Sequence, residues 1–121
     1  MSQNSINKPF DLEERTFLFA KEVRLFIKTL EKTVANIEDA KQVVRSSGSI
    51  GANYIEANES LGKKDFLFRI KISRKEAKES TNWLRLIKET NQLANEELAE
   101  KLIQESIELK KILSAIVEKS K

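Results

Sequence analysis

A chain of 121 residues, with 34% charged residues, three glycines and a single proline, has the size of one domain and the composition of a helical one. It contains no cysteine and no histidine, which excludes disulfides, thiol nucleophiles, zinc–thiolate sites and the commonest general acid–base and transition-metal ligand. The formal net charge of +3 admits a polyanionic partner without requiring one.

Residues 1–10 are polar, close on Pro9 and read as a disordered lead-in, leaving residues 11–121 as the domain. They hold no apolar signal core, and the longest uninterrupted apolar run is Phe17 to Ala20. A membrane helix needs about 20 such residues, so the expectation is a cytoplasmic protein with no membrane partner. The first helix is expected from Leu12 to Val34, with Asp11 as its cap and Glu14 completing a capping box. Phe19, Val23, Phe26 and Leu30 form one apolar row, and Ala20, Ile27 and Val34 a neighbouring one. A stripe that wide faces a core.

The second helix is expected from Ile37 to Ser60, with Asn36 as cap and Val43, Val44, Ile50, Tyr54, Ile55 and Ala57 as its apolar positions. Its middle, Ser46 to Ala52, is built of small residues, and each of its two glycines costs roughly 1 kcal/mol relative to alanine. Close approach of another backbone is the preferred explanation, and a local kink the alternative. Gly62 then serves as C-cap or turn residue.

From Lys63 to Asn91, Phe66, Ile70, Ser73, Ala77, Ser80, Leu84 and Ile87 recur at alternating spacings of four and three, which is a helical seam. Nine Lys/Arg against four acids give this stretch a net charge of +5, so the remainder of the chain sums to −2. The segment Glu89-Thr90-Asn91-Gln92 closes it. The fourth helix starts near Asn95, with Glu96 and Glu97 at the positive end of its dipole and Lys119 and Lys121 at the negative end. Leu98, Leu102, Leu109, Leu113 and Ile116 carry its core row, with Ile103, Ile112 and Val117 beside it. Four helices joined by short loops lie antiparallel in turn, which defines an all-α, up-down-up-down four-helix bundle.

Beside the seam of the third helix run Lys64, Lys71, Lys78 and Arg85, each seven residues from the last, flanked by Arg74, Lys75 and Lys88. One reading is a solvated face; the other is contact with nucleic-acid phosphates through Lys64, Lys71, Arg74, Lys78, Arg85 and Lys88. Phe68 is the one aromatic residue near this row, so such binding would follow backbone and shape rather than bases. On the other side of the seam, Ile72, Trp83 and Leu86 share their rows with Asp65, Arg69, Glu76 and Glu79. Apolar, tryptophan and ion-pairing groups together are typical of a subunit interface, which points to Ile72, Glu76, Glu79, Trp83 and Leu86. The competing reading has Trp83 closing the edge of the bundle with both glutamates in solvent. Glu56 and Glu79 could supply carboxylates for a di-metal bundle site. Such sites use Glu-x-x-His, however, and this chain has no histidine. Hydrogen bonding between helices or subunits is the expected role of Asn53, Glu56 and Glu79. No metal, cofactor, catalytic residue or small-molecule substrate is expected.

The segment Arg45-Ser-Ser-Gly-Ser-Ile-Gly-Ala-Asn-Tyr-Ile-Glu-Ala57 resembles a bacterial family of four-helix bundles that includes the proteins encoded in intervening sequences of 23S rRNA genes. Ser49, Ile50, Asn53 and Glu56 match its pattern Ser-Ile-x-x-Asn-x-x-Glu-Gly, and the match continues through Lys64-Asp65-Phe66 to Ile72 and Glu79. Gly51 stands where the family often has proline, Ala57 where it has glycine, and Lys75-Glu76 replaces a Gly-Ser pair. The resemblance implies a cytoplasmic homopentamer. It also implies kinship with the accessory variability determinant of diversity-generating retroelements, which works with a reverse transcriptase and has a basic, nucleic-acid-binding surface. No catalytic residue carries over. The expectation is therefore a non-enzymatic oligomer that binds RNA or DNA, with a protein-interaction scaffold as the alternative.

Overall fold

A computed structural model describes residues 11–121, so the lead-in expected over residues 1–10 lies outside the described residues, as does the side chain of Asp11 with its expected cap. Four helices follow one another: α1 (Asp11–Ile27), α2 (Val34–Asn58), α3 (Lys63–Thr90) and α4 (Glu96–Lys119). Each packs on its neighbour in sequence and α4 returns to α1, whereas the diagonal pairs do not approach closely. The arrangement is a square four-helix bundle in which the α2/α3 interface is the most extensive and α1/α4 the least. Across the thin α1/α4 side, Arg15 holds Glu105 in a two-pronged ion pair, Nε–Oε2 at 2.6 Å and Nη2–Oε1 at 2.9 Å.

The interior follows most of the expected seams, with Phe66 of α3 and Leu98 and Ile116 of α4 only half-buried at its edge. Ile70, Ser73, Ala77, Ser80, Leu84 and Ile87 of α3 are fully buried, with Phe19, Val23 and Phe26 of α1 and Leu102, Leu109, Leu113 and Val117 of α4 around them. The fourth helix starts where expected, and Asn95 is its cap, its Oδ1 accepting from the Leu98 N–H at 3.0 Å.

Three boundaries differ from expectation, each for a local reason. The first helix stops at Ile27, because Thr29 turns its hydroxyl onto the Phe26 carbonyl at 2.6 Å while the Thr29 and Leu30 N–H groups close short turns. Val34 is therefore the first residue of α2 and stands 83% exposed instead of completing a core row. The cap of α2 is Thr33, whose Oγ1 accepts from the Asn36 N–H at 3.1 Å. Asn36 is buried and has a different role: its amide donates to the Glu31 carbonyl and to Asn91 Oδ1, both at 2.8 Å. Asn91 donates back to Asn36 Oδ1 at 2.9 Å, which ties the start of α2 to the end of α3. At its other end α2 stops at Asn58 with Glu59 as cap. Gly62 is the extended N-cap of α3, its carbonyl accepting from the Phe66 N–H at 3.0 Å.

The small residues in the middle of α2 resolve in favour of close approach, since α2 runs unbroken through them. A Cβ placed on Gly51 would stand 2.8 Å from Thr16 Oγ1 and 3.3 Å from Thr16 Cβ, in α1. Thr16 is itself buried and bonded to the Glu13 carbonyl, so it has little room to give. On the opposite side of α2, the Ser46 and Ser80 hydroxyls share a hydrogen bond at 2.8 Å, and Ser73 donates to the Ile50 carbonyl at 2.7 Å. These short hydroxyls are satisfied inside the seam, by each other or by a backbone carbonyl, which suits close packing of α2 on α3.

The two glycines should therefore respond in opposite senses. Gly51→Ala overpacks against Thr16 and lowers stability by about 1–2 kcal/mol net, after the gain in helix propensity. At Gly48 an added methyl would meet the Arg24 Nη2 first, at 3.3 Å, and that guanidinium, the exposed end of a flexible side chain held by bonds to the Ala20 and Val44 carbonyls, can shift by the few tenths of an ångström required. Gly48→Ala is therefore neutral or stabilising by up to about 1 kcal/mol. Urea unfolding of the two variants checks both signs.

Candidate functional site

Three outer faces border α2 and α3, and they differ in chemistry. On the α3/α4 face, Lys64, Lys71, Lys78 and Arg85 are all exposed and form no ion pair with any described residue. Seven-residue steps put them about 10 Å apart along some 30 Å of helix. Arg74 is half-buried against the same side. Lys88 departs from expectation. Its Nζ lies 3.0 Å from Glu100 of α4 and 3.7 Å from Glu89, so it staples two helices and is not a free cation. The hydrogen bond to Glu100 raises its pKa above the ordinary lysine value, with the charge of Glu100 adding to this. Because the shift is upward, Lys88 keeps its charge through neutral pH and gives up its side of the pairing only in alkali beyond the ordinary lysine range.

One further cation on this face is not evident from the sequence. Thr81 meets Ser106 across α3/α4, so Lys110, one turn further along antiparallel α4, comes opposite the turn that carries Lys78. Lys110 is exposed and likewise without an ion pair among the described residues. Helix pairing register is what reveals it, and a sequence does not state that register.

The α2/α3 face joins the two sets that the sequence singles out separately. Arg45 Nη2 reaches Glu76 Oε1 at 3.2 Å and Glu79 Oε1 at 3.1 Å. The hydrogen bond to Glu76 is the main reason the Arg45 pKa is raised. Glu76 is buried and Glu79 half-buried, so neither stands free in solvent, as the edge reading would require. Further along, Arg69 donates to Asn53 Oδ1 at 3.2 Å, and the Asn53 amide donates to the Ser49 carbonyl and hydroxyl at 2.9 Å. Of the motif residues, Ile50 is fully buried, Ser49 and Asn53 belong to this ladder, and Glu56 is exposed. Ile72 and Trp83 are half-buried and Leu86 is 41% exposed, which leaves an apolar shoulder beside the ladder.

The carboxylates raised as a metal possibility do not meet. Glu79 faces Arg45, eleven residues before Glu56 on α2, a separation of about 16 Å along the helix. No group of three or more Asp or Glu among the described residues is placed to hold a metal ion. No described helix is long and apolar enough to cross a membrane.

The third face is unforeseen in the sequence. Between α1 and α2 lies an open groove of about 510 Å³, floored by Ala20, Gly48, Gly51 and Ala52, and walled by Phe17, Leu25 and Ile55. Phe17 is 61% exposed and Ile55 45%, so Ile55 is not the core position its spacing suggests. Lys21, Arg24, Lys28 and Glu13 edge the groove. The available sequence signal is the run Phe17-Leu18, which with Leu25 makes α1 apolar over a wider arc than the Phe19, Val23 and Phe26 row fills.

These features define a four-helix bundle with three distinct outer surfaces: a cationic face, a polar ladder with a tryptophan shoulder, and an apolar groove. Residues 9–115 match the 23S rRNA-intervening sequence protein family, and the chain belongs to it. A solved structure of a protein of unknown function from the S23 ribosomal protein family of Bacteroides thetaiotaomicron is similar, with a TM-score of 0.76 and 31% identity, over 87% of this chain and 96% of that one. No curated protein matches the sequence. Neither name speaks of an assembly or of the accessory variability determinant.

Truncation of the ladder tests its structural share. Arg45→Ala strands the buried Glu76 carboxylate and should cost roughly 1–3 kcal/mol. Glu76→Gln in the Arg45→Ala background should recover part of that loss, as read by thermal unfolding of the single and double variants.

Proposed function

We propose that this protein is a non-enzymatic, self-associating bundle that binds the phosphate backbone of RNA through the α3/α4 face, with five copies in the assembly as the family resemblance implies. The observation that carries the reading is the row Lys64, Lys71, Lys78 and Arg85, exposed and without carboxylate partners among the described residues, with Lys110 alongside. Exposed cations of this kind gain little by folding, and they release counterions when phosphates displace the salt around them. Lys88 is removed from the binding set by Glu100, and half-buried Arg74 has a secondary part in it. One strip binds weakly; strips repeated around an assembly add avidity. The names of the family and of its structural relative, with rRNA in one and ribosomal protein in the other, favour RNA over DNA as the first probe.

A scaffold that binds other proteins is the second reading, and the exposed apolar groove between α1 and α2 is the observation in its favour.

Fluorescence anisotropy with a structured RNA tests the first reading. Four to five phosphate contacts give a log–log salt slope of about −4, a loss of roughly two to three orders of magnitude in affinity between 50 and 200 mM salt. The combined variant Lys71→Glu, Lys78→Glu, Arg85→Glu should abolish binding while leaving helix content intact. Absence of binding at low salt, or binding unchanged in that variant, would overturn the reading. Light scattering should give a mass several times the 13.9 kDa of one chain.

A further inference from the structure

Phe68 is an aromatic side chain that the fold leaves in water. Phe66 and Leu67, its neighbours in α3, pack against the core, whereas Phe68 stands 58% exposed on the outward side of the helix. Around the helix it lies about 40° from Lys64, 60° from Lys71 and 20° from Lys75. Lys64 and Lys71, one turn before and one turn after it, have Cβ atoms about 5–6 Å from its own. All three lysines are exposed and form no ion pair with any described residue.

Arg69 covers one side of the ring. Its Cζ lies 5.9 Å from the ring centroid, inside the ~6 Å range of a cation–π contact. Its Nη1 donates to Asn53 Oδ1 at 3.2 Å, which ties the guanidinium to α2. The ring therefore has a braced side and an open side. Asp65, the one acid within a turn of Phe68 on α3, stands on the Arg69 side of the helix, away from the three lysines.

The charges around the open side select what can cover it. An apolar side chain of a protein partner seated on Phe68 would crowd three ammonium groups and bring them no counter-charge. A nucleotide presents a flat π face and carries its phosphates with it, so one group meets both the ring and the lysines.

We propose that the open face of Phe68 stacks an unpaired base of the bound RNA, while Lys64, Lys71 and Lys75 hold the phosphates on either side of it. This rests on the RNA reading of the α3/α4 face and goes beyond it by naming the form of RNA. The strip takes a strand with an unstacked base, in a loop, a bulge or an end, at its Lys64 end. A continuous duplex is the poorer ligand, because its bases are stacked on one another and closed to Phe68. The stack reads no sequence, since every base has a π face.

The test uses the full chain and two RNAs of equal phosphate number, a fully paired duplex and a hairpin with a wide loop. By fluorescence anisotropy at low salt, Phe68→Ala should weaken hairpin binding roughly 5- to 150-fold, the range for one lost base stack, and leave duplex affinity unchanged. The salt slope of both complexes should stay the same, because no phosphate contact is removed. Phe68→Leu, apolar but without a ring, should lose the preference for the hairpin as well. A second readout comes from Phe68→Trp in a Trp83→Phe background, which leaves one tryptophan in the chain, at position 68. The hairpin should quench its fluorescence and the duplex should not. Hairpin binding untouched by Phe68→Ala, equal losses on hairpin and duplex, or no quenching would overturn the stack while leaving phosphate binding standing. Failure of the wild-type chain to bind either RNA at low salt would overturn both.

Discussion

The close packing of α2 against both of its neighbours shapes the outer faces beside it, and on the α1 side it is tightest at Gly51, where even a methyl group would come within 2.8 Å of the Thr16 hydroxyl. With no side chain on α2 to hold α1 away, Phe17 and Leu25 rise past the helix they pack against, and a groove forms between them and Ile55. The other side of α2 obeys the same constraint by other means. Ser46 and Ser80 share a hydrogen bond, and Ser73 reaches the Ile50 carbonyl, so the α2/α3 seam is closed by short polar groups that are satisfied within it. That closeness brings Arg45 within reach of both Glu76 and Glu79, and Arg69 within reach of Asn53.

The chemistry of the outer faces follows from how α3 divides its circumference. One side is sealed into the core, one is locked to α2 through the ladder, and the rest turns toward α4, where opposing carboxylates are few enough to leave a row of cations unpaired. Lys88 shows what the alternative looks like: a glutamate at the right place on α4 converts a cation into a staple. A polyanion-binding strip on such a bundle depends both on what the lysines are and on which residues the neighbouring helix fails to place beside them. The same helix that exposes the cations carries the Trp83 shoulder on its other side, so the two surfaces are held in a fixed relation by a single element.

The bundle architecture and the α3 and α4 seams were legible in the sequence because long amphipathic repeats constrain burial strongly. The end of α1 was not. Its apolar spacing continues through Leu30 to Val34, and the residues that stop it, Thr29 and Thr33, act through side-chain bonds that periodicity does not register. Asn36 misleads for a related reason: its residue type suits a cap, yet its partner Asn91 lies far along the chain. In the candidate site, the cation row was legible as spacing. The pairing of Lys88 with Glu100, the contribution of Lys110 and the meeting of Arg45 with Glu76 all required helix register. The groove was legible only as an excess of apolar residues on α1, without any indication of where they would point.

If the α2/α3 seam is the element that holds the other helices in place, the bundle should open in a fixed order. Native-state hydrogen exchange followed residue by residue tests this. The seam amides around Ser46 to Ile50 and Ser73 to Ser80 should exchange only through global unfolding, while α1, whose contact with α4 is the thinnest in the bundle, opens earlier and at lower free energy. Protection of α1 equal to or greater than that of the α2/α3 seam would contradict this hierarchy.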